Sequence, residues 1–182
     1  HTLVIDDHTE LTADKIIIAT GSSPFIPDLL SGAGDRLIVN DDVFEWQTLP
    51  ESVVVFGPGV IGLELGQALS RLGVRVTVLG RGDSVGGLVD PEIKSYAKQT
   101  FQQEFDLQLR AKVEQVQRVS GGVEVTYQNE AGEHVTATYS YLLAATGRKS
   151  NVDNLGLENT TLMTDSKGHP EFNKLTMQTS AP

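Results

Sequence analysis

The chain has 182 residues, a formal net charge of -10 and no cysteine. That length suits one ordinary domain with a real core, or one domain with fragments of another, and is too short for a complete multi-cofactor enzyme. The acidic balance and lack of any basic run exclude nucleic acid and anionic membrane surfaces as partners, and without cysteine there is no disulfide, thiolate nucleophile or sulfur metal site within these residues.

Residues 1 to 20 predict a short strand at Leu3 to Ile5, a polar turn, a second short stretch at Leu11-Thr12 and an apolar strand from Lys15 to Ala19. The last of these runs into Ala19-Thr20-Gly21-Ser22-Ser23-Pro24. From Phe25 to Leu49 the pattern loosens into a crossing connection, in which Asn40 or Asp41 caps a short helix through Glu45 and Trp46. Val53 to Phe56 is a continuous apolar run and reads as a buried strand. The helix that follows carries Leu65, Ala68, Leu69 and Leu72 at i, i+3, i+4 and i+7, and Gly73 ends it. Val74 to Leu79 is the next strand, so strand, helix and strand form a βαβ unit with parallel neighbours. Asp90-Pro91-Glu92 combines an N-cap carboxylate, a first-position proline and a first-turn acid, with Ile93, Tyr96, Ala97 and Phe101 as the expected buried face. Leu107 to Leu109 is a third strand. Between Lys112 and Tyr139 the period shifts towards two, with turns at 120–122 and 129–133, which predicts an antiparallel meander. Tyr141 to Ala145 returns as a buried strand, and the polar remainder from Lys149 to Pro182 carries turn signals but no core of its own. The expected fold class is α/β, a Rossmann-like parallel sheet with an antiparallel β-meander. No apolar run approaches the ~20 residues of a membrane span, and a signal-peptide pattern is absent from the first residues, so no membrane partner and a cytoplasmic protein are expected.

The glycines Gly57, Gly59 and Gly62 stand at G-x-G-x-x-G spacing between the apolar strand and the helix. The spacing has a physical reason: Gly57 for the tight turn, Gly59 to let a pyrophosphate reach the backbone, and Gly62 to let helix and strand pack closely. The amides of Val60 and Ile61 would meet the phosphates at the helix start, where the macrodipole also favours anions. Some 20 residues beyond the glycines, where an NAD site carries an acid for the ribose hydroxyls, this chain has Gly80 followed by Arg81. A guanidinium there suits a 2′-phosphate, which favours NADP(H); the alternative is NAD held mainly by its pyrophosphate, with Arg81 a solvated loop residue. Glu64, within the helix, either faces solvent or meets the nicotinamide end of the cofactor. His1, His8, His134 and His169 have no ligand spacing and read as surface residues, so no metal site is expected. Asn159-Thr160-Thr161 matches a glycosylation sequon of the kind that arises by chance.

Together, Gly57-Pro58-Gly59-Val60-Ile61-Gly62-Leu63-Glu64-Leu65-Gly66, the two A-T-G strand ends, Gly147-Arg148-x-x-Asn151 and Leu155-Gly156-Leu157 resemble the FAD-dependent pyridine nucleotide-disulfide oxidoreductases, dihydrolipoamide dehydrogenase most of all. The resemblance covers essentially the whole chain. It implies a partial FAD-domain segment at 1–45, an NAD(P)-binding domain at 46–147 and a second partial FAD-domain segment at 148–182. By the same resemblance, Gly57, Pro58, Gly59, Val60 and Ile61 hold the pyrophosphate, Glu64 faces the nicotinamide and Val113 the adenine. Ala145, Thr146, Gly147 and Arg148 form the far wall of the site, and Thr20, Gly21 and Ser22 lie near FAD.

The family's first FAD-binding glycine motif, its redox-active C-x-x-x-x-C and its C-terminal dimerisation domain with the catalytic His-Glu pair are absent from these residues, so the chain resembles an excised central fragment, inactive alone, of a homodimeric parent. Val60 stands where glutathione reductases carry a tyrosine over the flavin, which matches the dihydrolipoamide-type branch, whereas Gly80 in place of an acid departs from it. Two rivals remain: the nucleotide domain of a flavoenzyme without a dithiol, such as an NADH oxidase or ferredoxin reductase, and a stand-alone nucleotide-binding module.

Overall fold

The computed structural model describes residues 2–6 and 8–181. It divides into two compact units, a larger one of residues 24–149 and a smaller one built from the described residues up to Ser23 and from Ser150 onward.

In the smaller unit, β1 (Thr2–Ile5) and β2 (Thr9–Thr12) form an antiparallel hairpin with Leu3 opposite Leu11. Every residue of both strands is exposed. The apolar segment expected to be a strand at Lys15 to Ala19 has no strand assignment: it lacks a hydrogen-bonding neighbour among the described residues, and Ile17 is 87% exposed. An apolar run makes a strand only where another strand supplies donors and acceptors. The chain leaves this unit along β3 (Ser22–Pro24) and re-enters it along β12 (Arg148–Ser150). Its order rests on polar bonds. Asn151 donates from its backbone to Gly21 O and from Nδ2 to Thr20 O, each at 3.0 Å, and accepts the Ser23 hydroxyl at 2.8 Å. Asp165 organises the turn expected near His169, accepting from the backbone amides of Lys167 and His169. Val152 is the one buried apolar residue among the described residues of this unit, which contributes nothing to either apolar core.

The larger unit is built on a five-stranded parallel sheet in the order β4-β11-β5-β6-β7, made of β4 (Leu37–Ile38), β5 (Ser52–Phe56), β6 (Arg75–Leu79), β7 (Asp106–Gln108) and β11 (Tyr141–Ala144). All of β5 is buried, as a central strand covered on both faces must be. Its side chains alternate between two cores. Val54 and Phe56, with Leu142 and Ala144, face the meander of β8 (Lys112–Val119), β9 (Gly122–Gln128) and β10 (His134–Tyr139), through Val123, Val125 and Tyr127. Val53 and Val55, with Val76, Val78 and Leu143, face α1 (Val60–Arg71) and the segment after α2 (Pro91–Gln102), through Leu63, Leu69 and Phe105. The meander is antiparallel in the order β10-β9-β8, as its period of two predicts.

Three expectations need correction. The buried face of α1 is Gly62, Leu63, Gly66 and Leu69, whereas Ala68 and Leu72 are exposed. The reason is Gly66: a Cβ built on it lies 3.2 Å from Val78, so the helix backbone itself sits on the sheet and side chains flank it. On α2, Ala97 and Phe101 pack on the core but Ile93 and Tyr96 are exposed, because periodicity identifies a stripe and not what lies against it. The loosened connection also contains a 3₁₀ segment at Asp28–Arg36 and the strand β4, whose pairing with β11 lasts two residues, too short for a periodic signal. The short helix expected after it is 3₁₀, Asp42–Glu45.

The capping of α2 is as expected, with Asp90 accepting from the amides of Glu92 and Ile93 at 2.9 and 3.0 Å. Among the described residues no helix is long and apolar enough to cross a membrane, and no group of His, Cys, Asp or Glu is arranged to hold a metal ion. His8 and His134 are exposed and His169 is half-buried beside Asp165; His1 lies outside the described residues.

Candidate dinucleotide site

Successive strands β5, β6 and β7 step to one side of the sheet while β11 lies on the other side of β5. The gap between β5 and β11 is therefore a topological switch point, and in open α/β sheets ligands bind outside the carboxyl ends of the strands at such a point. The glycine turn stands there. Gly57 donates to Leu79 O at 2.9 Å, and Ala145 donates to Phe56 O at 2.8 Å, so the turn is held between its two neighbouring strands.

Each glycine of the turn has a different environment. Gly57 has φ +109°, and a Cβ on it would lie 2.3 Å from Ala145 O. On Gly62 a Cβ would lie 2.0 Å from Gly57 O and 3.2 Å from Ala145 Cβ, so this residue lets α1 start directly against the turn. Gly59, by contrast, has an ordinary extended backbone and no atom within 4 Å of its Cβ position. Its missing side chain leaves open space beside the start of α1, whose N-cap it is and where no side chain caps the first amides. Leu63 N to Gly59 O, at 3.0 Å, is the first bond of the helix, which leaves the amides of Val60, Ile61 and Gly62 at its positive end. Amides so placed can hold an anionic group, and a Cβ on Gly59 would fill the space beside them.

Around this space, Pro58 O accepts from Gly86 N at 2.8 Å, folding the loop after β6 onto the turn, with Val85 fully buried beneath it. This brace is absent from the sequence reading; the only signal for it is Val85 followed by the pair Gly86-Gly87, both of which have positive φ. Gly80 has a packing role here: a Cβ would fall 2.7 Å from Pro58 Cγ and 2.8 Å from Leu109 O, so the place where an NAD site carries its acid is sterically closed. Arg81, the next residue, is exposed and forms a β-bridge with Arg110. Arg110 in turn grips Asp83 through a two-pronged ion pair, both contacts at 2.6 Å. The guanidinium holds the Asp83 carboxyl below its ordinary value, and the carboxylate raises Arg110.

Glu64 is exposed one turn beyond Val60, on the same side of the helix. Ala145 is half-buried against the turn, and Thr146 Oγ1 donates to Phe25 O. Gly147 has φ +116° and accepts from Phe25 N at 2.9 Å, while Arg148 reaches Asn40 Oδ1 at 3.5 Å. Val113 sits on β8, half-buried against the core. The structure thus brings Gly57 to Gly62, Gly80 and Ala145 into one corner, with Glu64 and Arg81 beside it, while Thr20, Gly21 and Ser22 belong to the other unit, where Thr20 and Gly21 carbonyls are occupied by Asn151.

A family model described as pyridine nucleotide-disulphide oxidoreductase matches residues 1–182. The chain is 34% identical over 171 residues to a soluble pyridine nucleotide transhydrogenase of Photorhabdus laumondii, which takes in 93% of this chain and 36% of that protein. It is 35% identical over 162 residues to a dihydrolipoyl dehydrogenase of Cupriavidus necator, covering 88% of this chain and 34% of that one. With a glutathione reductase of Nostoc it shares 32% identity over 164 residues, 86% and 35% of the two chains. It thus spans about a third of the length of these relatives. Among solved structures, LpdA from Mycobacterium tuberculosis superposes with a TM-score of 0.77 at 28% identity, over 94% of this chain and 37% of that chain. The HOCl-induced flavoprotein disulfide reductase RclA from Escherichia coli gives 0.82 over 95% and 39%, a likeness of fold at 23% identity. By fold, by glycine turn and by a match along its whole length, this chain belongs to the pyridine nucleotide-disulphide oxidoreductases.

Proposed function

We propose that this chain is the nicotinamide dinucleotide-binding portion of a flavoprotein disulfide oxidoreductase similar to dihydrolipoamide dehydrogenase, with NADP(H) the preferred nucleotide. The observation that carries the reading is the open space at Gly59, beside uncapped helix amides at the switch point, in a turn where the other two glycines are filled by backbone. Bound there, the nicotinamide would exchange hydride with FAD, and FAD would exchange electrons with a dithiol held elsewhere in a homodimeric cytoplasmic parent. The chain's own residues bind and orient. Gly57 to Ile61 meet the pyrophosphate, Glu64 faces the nicotinamide, Val113 the adenine, and Ala145 to Arg148 line the far wall.

On this reading residues 46–147 are the NAD(P)-binding domain, and 1–45 and 148–182 are segments of the FAD domain, with Thr20, Gly21 and Ser22 near the flavin. The smaller unit's exposed Ile16, Ile17, Ile18, Phe172 and Leu175 support that assignment over a stand-alone nucleotide module, which would cover such surface itself. The preference for NADP(H) rests on Gly80, where the packing leaves no room for a ribose-binding acid, and on Arg81 beside it. Calorimetric titration with NADPH and NADH at fixed salt tests both parts. Tighter NADPH binding that Arg81→Ala equalises is the expected result; NADH-favouring binding would make Arg81 a bystander, and binding of neither would overturn the nucleotide reading for this chain.

A further inference from the structure

Arg81 does not stand alone at the outer edge of the glycine turn. It is bridged to Arg110 across the carboxyl ends of β6 and β7, and bridge partners have Cα atoms only about 4.5–5.5 Å apart. Gly80, just before Arg81, has Pro58 of the glycine turn and the carbonyl oxygen of Leu109, just before Arg110, both within 3 Å of its Cβ position, so the two arginines follow directly on the residues that close in on the turn. One carboxylate, Asp83, takes up the fork of Arg110 at 2.6 Å through both oxygens. Lys94 and Lys98 also act on Asp83 electrostatically, and Lys98 is itself held by Glu130, which accepts in addition from Leu109 N at 2.9 Å. In a chain of net charge -10, Arg110, Lys94 and Lys98 thus gather about Asp83 and Glu130, with Arg81 bridged beside them.

We infer that Arg110 is the second guanidinium of a two-arginine clamp for the cofactor's 2′-phosphate, and that Asp83 occupies its fork until the phosphate displaces it. The inference rests on the NADP(H) reading given above and adds a residue and a competitor to it. The geometry suits the exchange. Arg110 and Asp83 side chains are 67% and 54% exposed, and an open, solvent-screened ion pair of this kind adds little, so it yields readily. A phosphate carries close to two charges and three acceptor oxygens, which two adjacent forks satisfy and one carboxylate does not. Asp83 acts through Arg110 and is a positioning residue; Arg110 touches the ligand.

The test is the ratio of NADPH to NADH affinity, measured by titration on the 182-residue chain and on Arg81→Ala, Arg110→Gln, Asp83→Asn and the Asp83→Asn/Arg110→Gln pair, with thermal melts as a folding control. Arg110→Gln is expected to lower the ratio roughly fivefold or more and Asp83→Asn to raise it about threefold, with the double variant matching Arg110→Gln alone, as loss of one charge-assisted fork and of its competitor requires. If Arg81→Ala collapses the ratio while Arg110→Gln and Asp83→Asn leave it alone, the clamp is a single arginine and this inference is wrong although the NADP(H) reading stands. A chain that prefers NADH and ignores Arg81→Ala defeats both. Should Arg110→Gln not fold, Arg110→Lys keeps the charge and loses the fork: a fall in the ratio supports the clamp, and no change overturns it.

Discussion

Gly59 and Gly62 stand three residues apart in one turn, yet one faces open space and the other a carbonyl oxygen at 2.0 Å. Substitution should separate them. Gly59→Ala is expected to change stability by less than about 1 kcal/mol, since alanine is only a poorer helix cap there, while weakening dinucleotide binding about tenfold or more by filling the phosphate cradle. Gly62→Ala should lose ~1–3 kcal/mol by overpacking; paired thermal melts and titrations read both effects. At Gly80, an attempt to install an NAD-type acid by Gly80→Asp should lower the melting temperature instead of switching preference, because the new Cβ meets Pro58 and Leu109 O inside 3 Å. The spacing of these glycines is plain in the sequence, and so is their collective role. Which of them is closed by neighbours is not, because Ala145 and Leu109 reach the turn from distant parts of the chain.

Glu130 works between elements. From the turn between β9 and β10 its carboxylate accepts from Lys98 on α2 at 2.8 Å and from Leu109 N just after β7 at 2.9 Å. Burial pushes this carboxyl up, but Lys98 and the backbone amides outweigh it and hold it below its ordinary 4.5. A carboxyl depressed in the folded state contributes stability above its unfolded value and loses it as pH falls through the folded one. The melting temperature should therefore fall more steeply below about pH 4.5 in the wild type than in Glu130→Gln, and melts across pH 3 to 6 would show the two curves converging.

Local signals read these elements well where they are self-contained. The Asp90-Pro91-Glu92 cap, the period-two meander and the buried β5 are all visible in short windows of sequence. They fail where a partner decides. The two residues of β4 have meaning only beside β11, the lower face of α1 is set by two glycines that let its backbone touch the sheet, and Ile16 to Ile18 look like a strand but have no strand to pair with among the described residues.

For the whole molecule, the two units differ in what holds them. Residues 24–149 enclose both apolar cores, whereas the smaller unit depends on polar turns and leaves Ile17 and Leu175 almost fully exposed. Limited trypsin digestion should thus trim the chain from both ends to a resistant species close to residues 24–149, identified by mass spectrometry. Comparable resistance across residues 150–182 would mean that the smaller unit has more cohesion than its burial indicates.

The bond from Phe25 N to Gly147 O brings the two ends of the larger unit side by side, within two residues of where it starts and stops. To the segments that flank it, a long insertion therefore behaves as a tight turn, and its length is cheap, since doubling a closed loop costs only about 0.6 kcal/mol. The cost falls on time instead. Thr20 and Gly21 gain their bonds to Asn151 only after everything between has been made, which at about 5–20 residues per second means a delay on the order of ten seconds. During that interval the larger unit has every strand of its own sheet in hand, so it can fold before its flanking segments meet.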